Sequence, residues 1–347
     1  MNVKLKEDKF HIRAFFSSCA CHCHFCCLGE FSKDKRVSFE DYSAVMRKYA
    51  KAVDRYGMRL RSFIYNCPEH PYVKEQIQLY DSLPMERSEY VQLDLNGTRI
   101  KTASEISLWF DELQDAGVEK VAFSWFGNET LHDSFVNRRG YYSYLNMCAA
   151  EAKRRNIPVI SKVFLHKGIL NEVDGLIRHL KEFSSSIILA FMEYSGDAKT
   201  IQNEFLTIDD YDLLSDSTKA LFNAAYREKF KSEQEWIYLA KSNKFPQFNI
   251  VDYILYLDRE NLQYVLDTEV DDVIHEFRKM NNRFQNSFGE ICDLAKEYGD
   301  EECRILYECR DILRKWLDKY FKENSLDETL LFSFTHNCVE WKVYERL

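Results

Sequence analysis

Glycine and proline are scarce: 11 and 5 residues among 347. That leaves little room for flexible linkers, and with 46% hydrophobic and 30% charged residues it points to a compact, largely helical globular chain, not a disordered one. No run of about 18 apolar residues occurs, so no membrane-spanning helix is expected. Residues 1–11 are charged and lack an apolar core, which argues against an ordinary secretory signal and for a cytoplasmic protein. Nor is there an excess of positive charge. The formal net charge is −9, which argues against non-specific binding to nucleic acid or anionic membranes. The chain has no phosphate-binding Gly-rich loop, no G-x-S-x-G elbow, no H-E-x-x-H pair, no internal repeat and no low-complexity tract.

Cysteine, by contrast, is abundant. There are eleven, and five of them fall between Cys19 and Cys27. In a reducing compartment clustered cysteine is more often metal-binding or catalytic than disulfide-bonded. The run Ser18-Cys19-Ala20-Cys21-His22-Cys23-His24-Phe25-Cys26-Cys27 contains one C-x3-C-x2-C register, Cys19/Cys23/Cys26, with aromatic Phe25 just before the third cysteine. Soft thiolates favour iron–sulfur clusters and zinc. A cubane held by three thiolates keeps one iron free of protein, whereas an electron-transfer cluster normally takes four. Zinc stays open as an alternative, with Cys21, His22, His24 and Cys27 as further ligands.

Around this loop the pattern alternates. Residues 10–16 read as a first strand, Ser38 caps a helix over about 39–56, and 60–66 form another strand. Residues 89–100 carry Asn96-Gly97 between alternating segments, a hairpin signal. Helix 103–116, strand 118–126, helix 139–155, strand 158–165, helix 170–183 and strand 186–193 follow. Such repeats predict a parallel sheet covered by helices, open or closed as a barrel, with ligands at the C-terminal ends of its strands. From about Leu206 acidic helical stretches dominate, interrupted by a segment at 248–267 that reads as a hairpin around Asp258–Asn261; 270–324 reads as almost continuous helix. We therefore expect a first domain over 1–205 and a mainly helical extension over 206–347.

The cysteine register, its aromatic and its place after the first strand resemble the signature of the radical SAM superfamily. The resemblance implies an α/β partial (β/α)6 TIM-like barrel. It further implies a 4Fe-4S cluster on Cys19, Cys23 and Cys26, with S-adenosyl-L-methionine (SAM) chelating the open iron and the backbone around Phe25 near the adenine. Reductive cleavage of SAM would then give a radical that abstracts hydrogen from a substrate. The family's Gly-Gly-Glu-Pro-like turn, which contacts the SAM amino group, has a partial match in Gly127-Asn128-Glu129-Thr130-Leu131. This match lacks the second Gly and the Pro, and lies about a hundred residues beyond the cysteines.

Ribose contacts in such enzymes come from polar residues on later strands, for which Ser161, His166 and Glu193 are candidates. Cys67 is a candidate hydrogen donor to a substrate radical. Cys292, Cys303, Cys309 and Cys338 lack the dense spacing of an auxiliary cluster, and Cys292 and Cys303 are expected to share a helix face as core positions. The resemblance also implies oxygen sensitivity and a flavodoxin- or ferredoxin-like reductant. The substrate would be a ribosomally made peptide or protein, or a small molecule such as a nucleoside, sugar or cofactor precursor. A non-catalytic binding module stabilised by zinc or a cluster is the reading from a different class.

Overall fold

The computed structural model describes residues 4–17, 19–26, 36–65, 69, 71–222, 224–246, 249–326 and 338–341. The first half alternates as expected: β1 (Lys4–Phe15), α1 (Phe39–Val53), β2 (Arg59–Tyr65), α2 (Val73–Asp81), β3 (Gln92–Asp94), α3 (Ala103–Asp115), β4 (Lys120–Trp125), α4 (Glu129–Phe135), α5 (Tyr141–Arg154), β5 (Val159–Leu165), α6 (Val173–Leu180) and β6 (Ser186–Phe191). Local chemistry sets the boundaries. Ser38 accepts from the Asp41 amide to start α1, and Thr102 and Glu105 form a reciprocal capping box on α3. Just past α3, Gly117 takes φ +87°, which releases the chain into β4.

The second half carries α7 (Ile208–Asp212), α8 (Asp216–Lys219), α9 (Ala224–Arg227), β7 (Phe230–Ser232), α10 (Glu233–Lys241), β8 (Asn249–Leu257), α11 (Leu262–Asp267), α12 (Val270–Gln285), α13 (Ile291–Tyr298), β9 (Leu306–Glu308), α14 (Cys309–Glu323) and β10 (Cys338–Trp341). The α/β class with parallel strands is thus borne out. Two four-stranded parallel sheets run β10-β8-β1-β2 and β3-β4-β5-β6, and β7 and β9 form a small antiparallel pair.

Three local expectations are corrected. Residues 89–100 do not fold into a hairpin: β3 pairs parallel with β4. The Asn96 side chain extends that pairing, accepting from the Ser124 amide (2.9 Å) and donating to Ser124 Oγ (3.1 Å). Residues 248–267 do not form a hairpin either. β8 is inserted between β1 and β10, parallel to both, and an Asp258–Asn261 turn then leads into α11. The stretch 270–324 is broken into three helices with β9 between the last two, and Cys303 lies in that break, off the α13 face that carries Cys292.

Helices cover one face of each sheet. On that side Phe10 of β1 packs against Tyr49 of α1 (5.1 Å between centroids) and Phe277 of α12 (5.7 Å), and Trp125 of β4 against Tyr142 of α5 (5.5 Å). Strand alternation turns the intervening residues to the other face. There Lys162 Nζ lies 2.8 Å from Asp94 Oδ1, and Arg13 donates to the Tyr256 hydroxyl (2.9 Å). Both members of the Asp94–Lys162 pair are partly exposed, whereas Tyr256 beside Arg13 is buried.

Candidate functional site

The cysteine loop leaves β1 and is hung by its backbone across the C-terminal ends of β3, β4 and β6. Ala20 N donates to Gly97 O (2.7 Å) just beyond β3; His22 N and His24 N donate to Val136 O and Phe135 O at the end of α4 (both 3.1 Å). Asp197 N, beyond β6, donates to Cys26 O (2.9 Å). Arg138 joins two of these elements, giving one Nη1 to Ala20 O (2.9 Å) and Thr98 O (3.0 Å) while its guanidinium lies 5.3 Å from the Tyr141 ring.

Within the loop Cys19, Cys23 and Cys26 are half-buried, Cys21 is buried, and His22 and His24 are exposed. Cys19, Cys21, Cys23 and Cys26 are all free of disulfides. The Cys21 amide donates to Cys19 Sγ (3.5 Å). The hydrogen bond with Cys21, with burial, raises the Cys19 thiol well above the usual range. For Cys21 the bond with Cys19 lowers the pKa, but the bond with Cys23 and burial outweigh it and push the thiol up to about 11. As arranged, no three His, Cys, Asp or Glu side chains among the described residues converge on a point that would hold a metal ion. The donor set itself fits a soft metal: three reachable thiols on one short loop, none consumed by a disulfide. Cys27, and Cys67 with its suggested role, lie outside the described residues.

The aromatic of the register does the docking. The Phe25 ring lies 4.2 Å from Phe126, 5.7 Å from Phe135 and 6.4 Å from Phe164. Phe126 is the residue before Gly127-Asn128-Glu129, so two sequence motifs about a hundred residues apart become neighbours here. Gly127 has φ +129°, and a Cβ there would meet Leu131 Cβ at 2.7 Å, so only glycine fits. Asn128 caps α4 by accepting from Leu131 N (3.1 Å), and exposed Glu129 accepts from Ser143 Oγ of α5 (3.0 Å). The turn follows β4, the fourth strand in chain order.

The remaining candidates separate. Ser161 is fully buried on the helix-covered face, where Trp125 Nε1 donates to it (3.0 Å) and Ser184 Oγ shares a hydrogen bond (2.7 Å). Its hydroxyl is therefore committed to packing between sheet and helices, on the face opposite Asp94 and Lys162. Glu193, half-buried just past β6, begins the segment that reaches Cys26 through Asp197. His166 is buried beside the Gly127 turn, its Nε2 on Phe126 O (2.9 Å) and its ring 4.0 Å from that of Phe135. Sequence reasoning missed Arg138, Phe126 and His132. It also missed the Asp94–Lys162 pair, which depends on β3, β4 and β5 lying side by side in parallel.

No protein-family model matches the chain, and no curated protein matches it. Solved structures give partial likenesses. One is anSMEcpe with bound AdoMet and the Cp18Cys peptide, with 14% identity, 94% of this chain and 98% of that one covered, and a TM-score of 0.47. Another is the Escherichia coli coproporphyrinogen III oxidase HemN, described as a radical SAM enzyme, with 8% identity, 91% of each chain and a TM-score of 0.40. A third is Streptococcus suis SuiB bound to its precursor peptide SuiA, with 11% identity, 65% of this chain and a TM-score of 0.43. The chain spans only 40–48% of the SuiB chains that it matches.

Proposed function

We propose that this chain is a radical SAM enzyme in which Cys19, Cys23 and Cys26 hold a 4Fe-4S cluster and the Gly127–Glu129 turn receives S-adenosylmethionine. One observation carries the reading: the three-thiol loop lies across the ends of parallel strands, with its Phe25 stacked on Phe126 directly before that turn. Ligands of α/β folds bind at this end of the strands.

The chemistry supplied by such a cluster, when bound, is one-electron reduction of SAM, whose cleavage yields a radical that abstracts hydrogen from a substrate. The protein's own part is to bind and orient. Gly127 has no side chain and admits close backbone approach, and the Glu129 carboxylate suits an ammonium group. Asn128 fixes the first turn of α4 behind them. Glu193, on the segment tied to the cysteine loop, is placed to accept from ribose hydroxyls. The partly exposed Asp94 and Lys162, on the sheet face away from the helices, offer charged partners to a substrate, which we take to be a peptide or protein, with a nucleoside, sugar or cofactor precursor as the alternative. Cys67 is retained as a hydrogen donor to the substrate radical. The reading carries with it a flavodoxin- or ferredoxin-like reductant, oxygen sensitivity and a cytoplasmic setting. Among the described residues no helix is long and apolar enough to cross a membrane.

The test is anaerobic. Wild type and Cys23→Ala are reconstituted with iron and sulfide, reduced with dithionite and given SAM, and 5′-deoxyadenosine is quantified. Formation by wild type alone supports the reading. Co-purified zinc, no four-iron signal and intact SAM would overturn it in favour of a metal-stabilised binding module.

A further inference from the structure

Phe126 is where β4 leaves its sheet. The β4–β5 ladder ends at the Trp125–Val163 pair, and beyond it two imidazoles take hold of the backbone. Phe126 N donates to His132 Nδ1 (3.3 Å), and Phe126 O accepts from His166 Nε2 (2.9 Å). One histidine comes from α4, the helix that the turn opens, and the other from the residue after β5. One peptide segment is thus gripped from two elements at once.

Burial lowers the pKa of both imidazoles and so favours their neutral forms. In those forms His132, accepting at Nδ1, carries its proton on Nε2, and His166, donating from Nε2, is bare at Nδ1. Both residues are 0% exposed, and His132 Nε2 and His166 Nδ1 have no hydrogen-bond partner among the described residues. Burying a polar ring nitrogen is unfavourable, so an apolar residue would suit either place better if packing were the only requirement. The rings are held firmly. His132 lies between Trp125 (5.8 Å), Tyr142 (5.7 Å) and Tyr141 (6.1 Å), and His166 lies against Phe135 (4.0 Å).

We infer that His132 and His166 are positioning residues for cofactor recognition. By clamping the Phe126 backbone they set the exit of β4, so that the Gly127–Glu129 turn presents its main chain to the amino end of SAM while the Phe126 ring meets Phe25. This rests on the SAM reading of the turn. A role in folding alone predicts that any well-packed substitute would serve. A clamp predicts that only side chains reproducing the donor at His166 and the acceptor at His132 will serve.

The experiment uses the full chain with His166→Gln and His132→Asn, whose amides keep the required donor and acceptor, beside His166→Leu and His132→Leu. Three quantities are read: the SAM dissociation constant of reconstituted protein, the melting midpoint, and amide exchange over residues 126–131 in protein without cluster. We expect the Leu variants to bind SAM about tenfold more weakly, with faster exchange confined to 126–131, and the Gln and Asn variants to stay within about threefold of wild type. Leu variants that bind SAM as wild type does, or amide variants that lose as much as the Leu variants, overturn the clamp. If the Leu variants do not fold, His166→Asn replaces them, since its shorter amide cannot span to Phe126 O; binding equal to that of His166→Gln then overturns the clamp. If wild type itself binds no SAM, the functional reading fails separately and amide exchange alone decides. Faster exchange at 126–131 in the Leu variants upholds the clamp on the turn, and unchanged exchange overturns it.

Discussion

The ring of Phe25 lies 4.2 Å from that of Phe126, tilted by 38°. A loop leaving the first strand is thereby pinned to the end of the fourth. Aromatic pairs of this kind contribute about 0.5–1.5 kcal/mol beyond the area they bury. Phe25→Ala is therefore expected to destabilise the protein in urea unfolding, by less than the ~3–5 kcal/mol of a core Phe→Ala because Phe25 is only half-buried. It should also weaken SAM binding more than Phe25→Tyr does, because only the smaller residue frees the loop from the turn.

The cysteines should divide by role. Cys19→Ala, Cys23→Ala and Cys26→Ala should each lose most of the bound iron after anaerobic reconstitution. Cys21→Ala should keep it, since Cys21 is a small buried residue lying between the register positions. Iron and sulfide analysis with EPR of the reduced protein checks this. Equal loss in the Cys21 variant would mean that a different set of thiols is used.

Arg138 offers a separate handle. Arg138→Met removes the donor shared by Ala20 O and Thr98 O, and hydrogen bonds from charged groups are worth about 1.5–3 kcal/mol each. We expect a loss of about 2–4 kcal/mol in unfolding free energy. Limited proteolysis near residues 19–26 should become faster before the global transition, and Arg138→Lys should recover part of the loss.

Asp311, buried at the start of α14, sets a pH dependence. Burial pushes its carboxyl up to about 7; Glu193 and Glu308 add to the rise, while Arg310 and a hydrogen bond from the Tyr194 backbone oppose it. The folded state then holds a proton that the unfolded chain, with an ordinary carboxyl, gives up near pH 4. Between those values the native state binds more protons than the unfolded state, so this group's contribution to stability falls as pH rises from about 4 to about 7 and then levels off. Asp311→Asn should remove that slope. The variant should match wild type near pH 4 and be the more stable of the two at pH 8, as read by paired denaturant titrations.

Much of this was legible in the sequence where the signal was local. Ser38 capping α1, the alternation of strands and helices up to β6, and a cysteine loop straight after β1 follow from short-range patterns. The two hairpins failed because local turn chemistry says nothing about the partner. Asn96-Gly97 looks like a reversal, yet Asn96 uses its side chain on Ser124, 28 residues on, to prolong a parallel pairing. Tyr256 and Leu257 read as half of a hairpin until β1, far earlier in the chain, is known to lie beside them. Arg138 left no trace in its own neighbourhood, because its acceptors are 118 and 40 residues away. The histidine clamp was invisible for the same reason: a buried imidazole is defined by what it touches.

The place of β8 has a consequence for the order of assembly. β1 is flanked by β2 on one side and by β8 on the other, with Arg13 meeting a partner 243 residues later. Until residues 249–257 have been synthesised, one edge of the strand that launches the cysteine loop has no neighbour. Contacts of such long sequence separation form late and slowly. The loop's backbone partners, Gly97, Phe135, Val136 and Asp197, all precede β8, so the strand that launches the loop gains its second neighbour only after every element that holds the loop has been made.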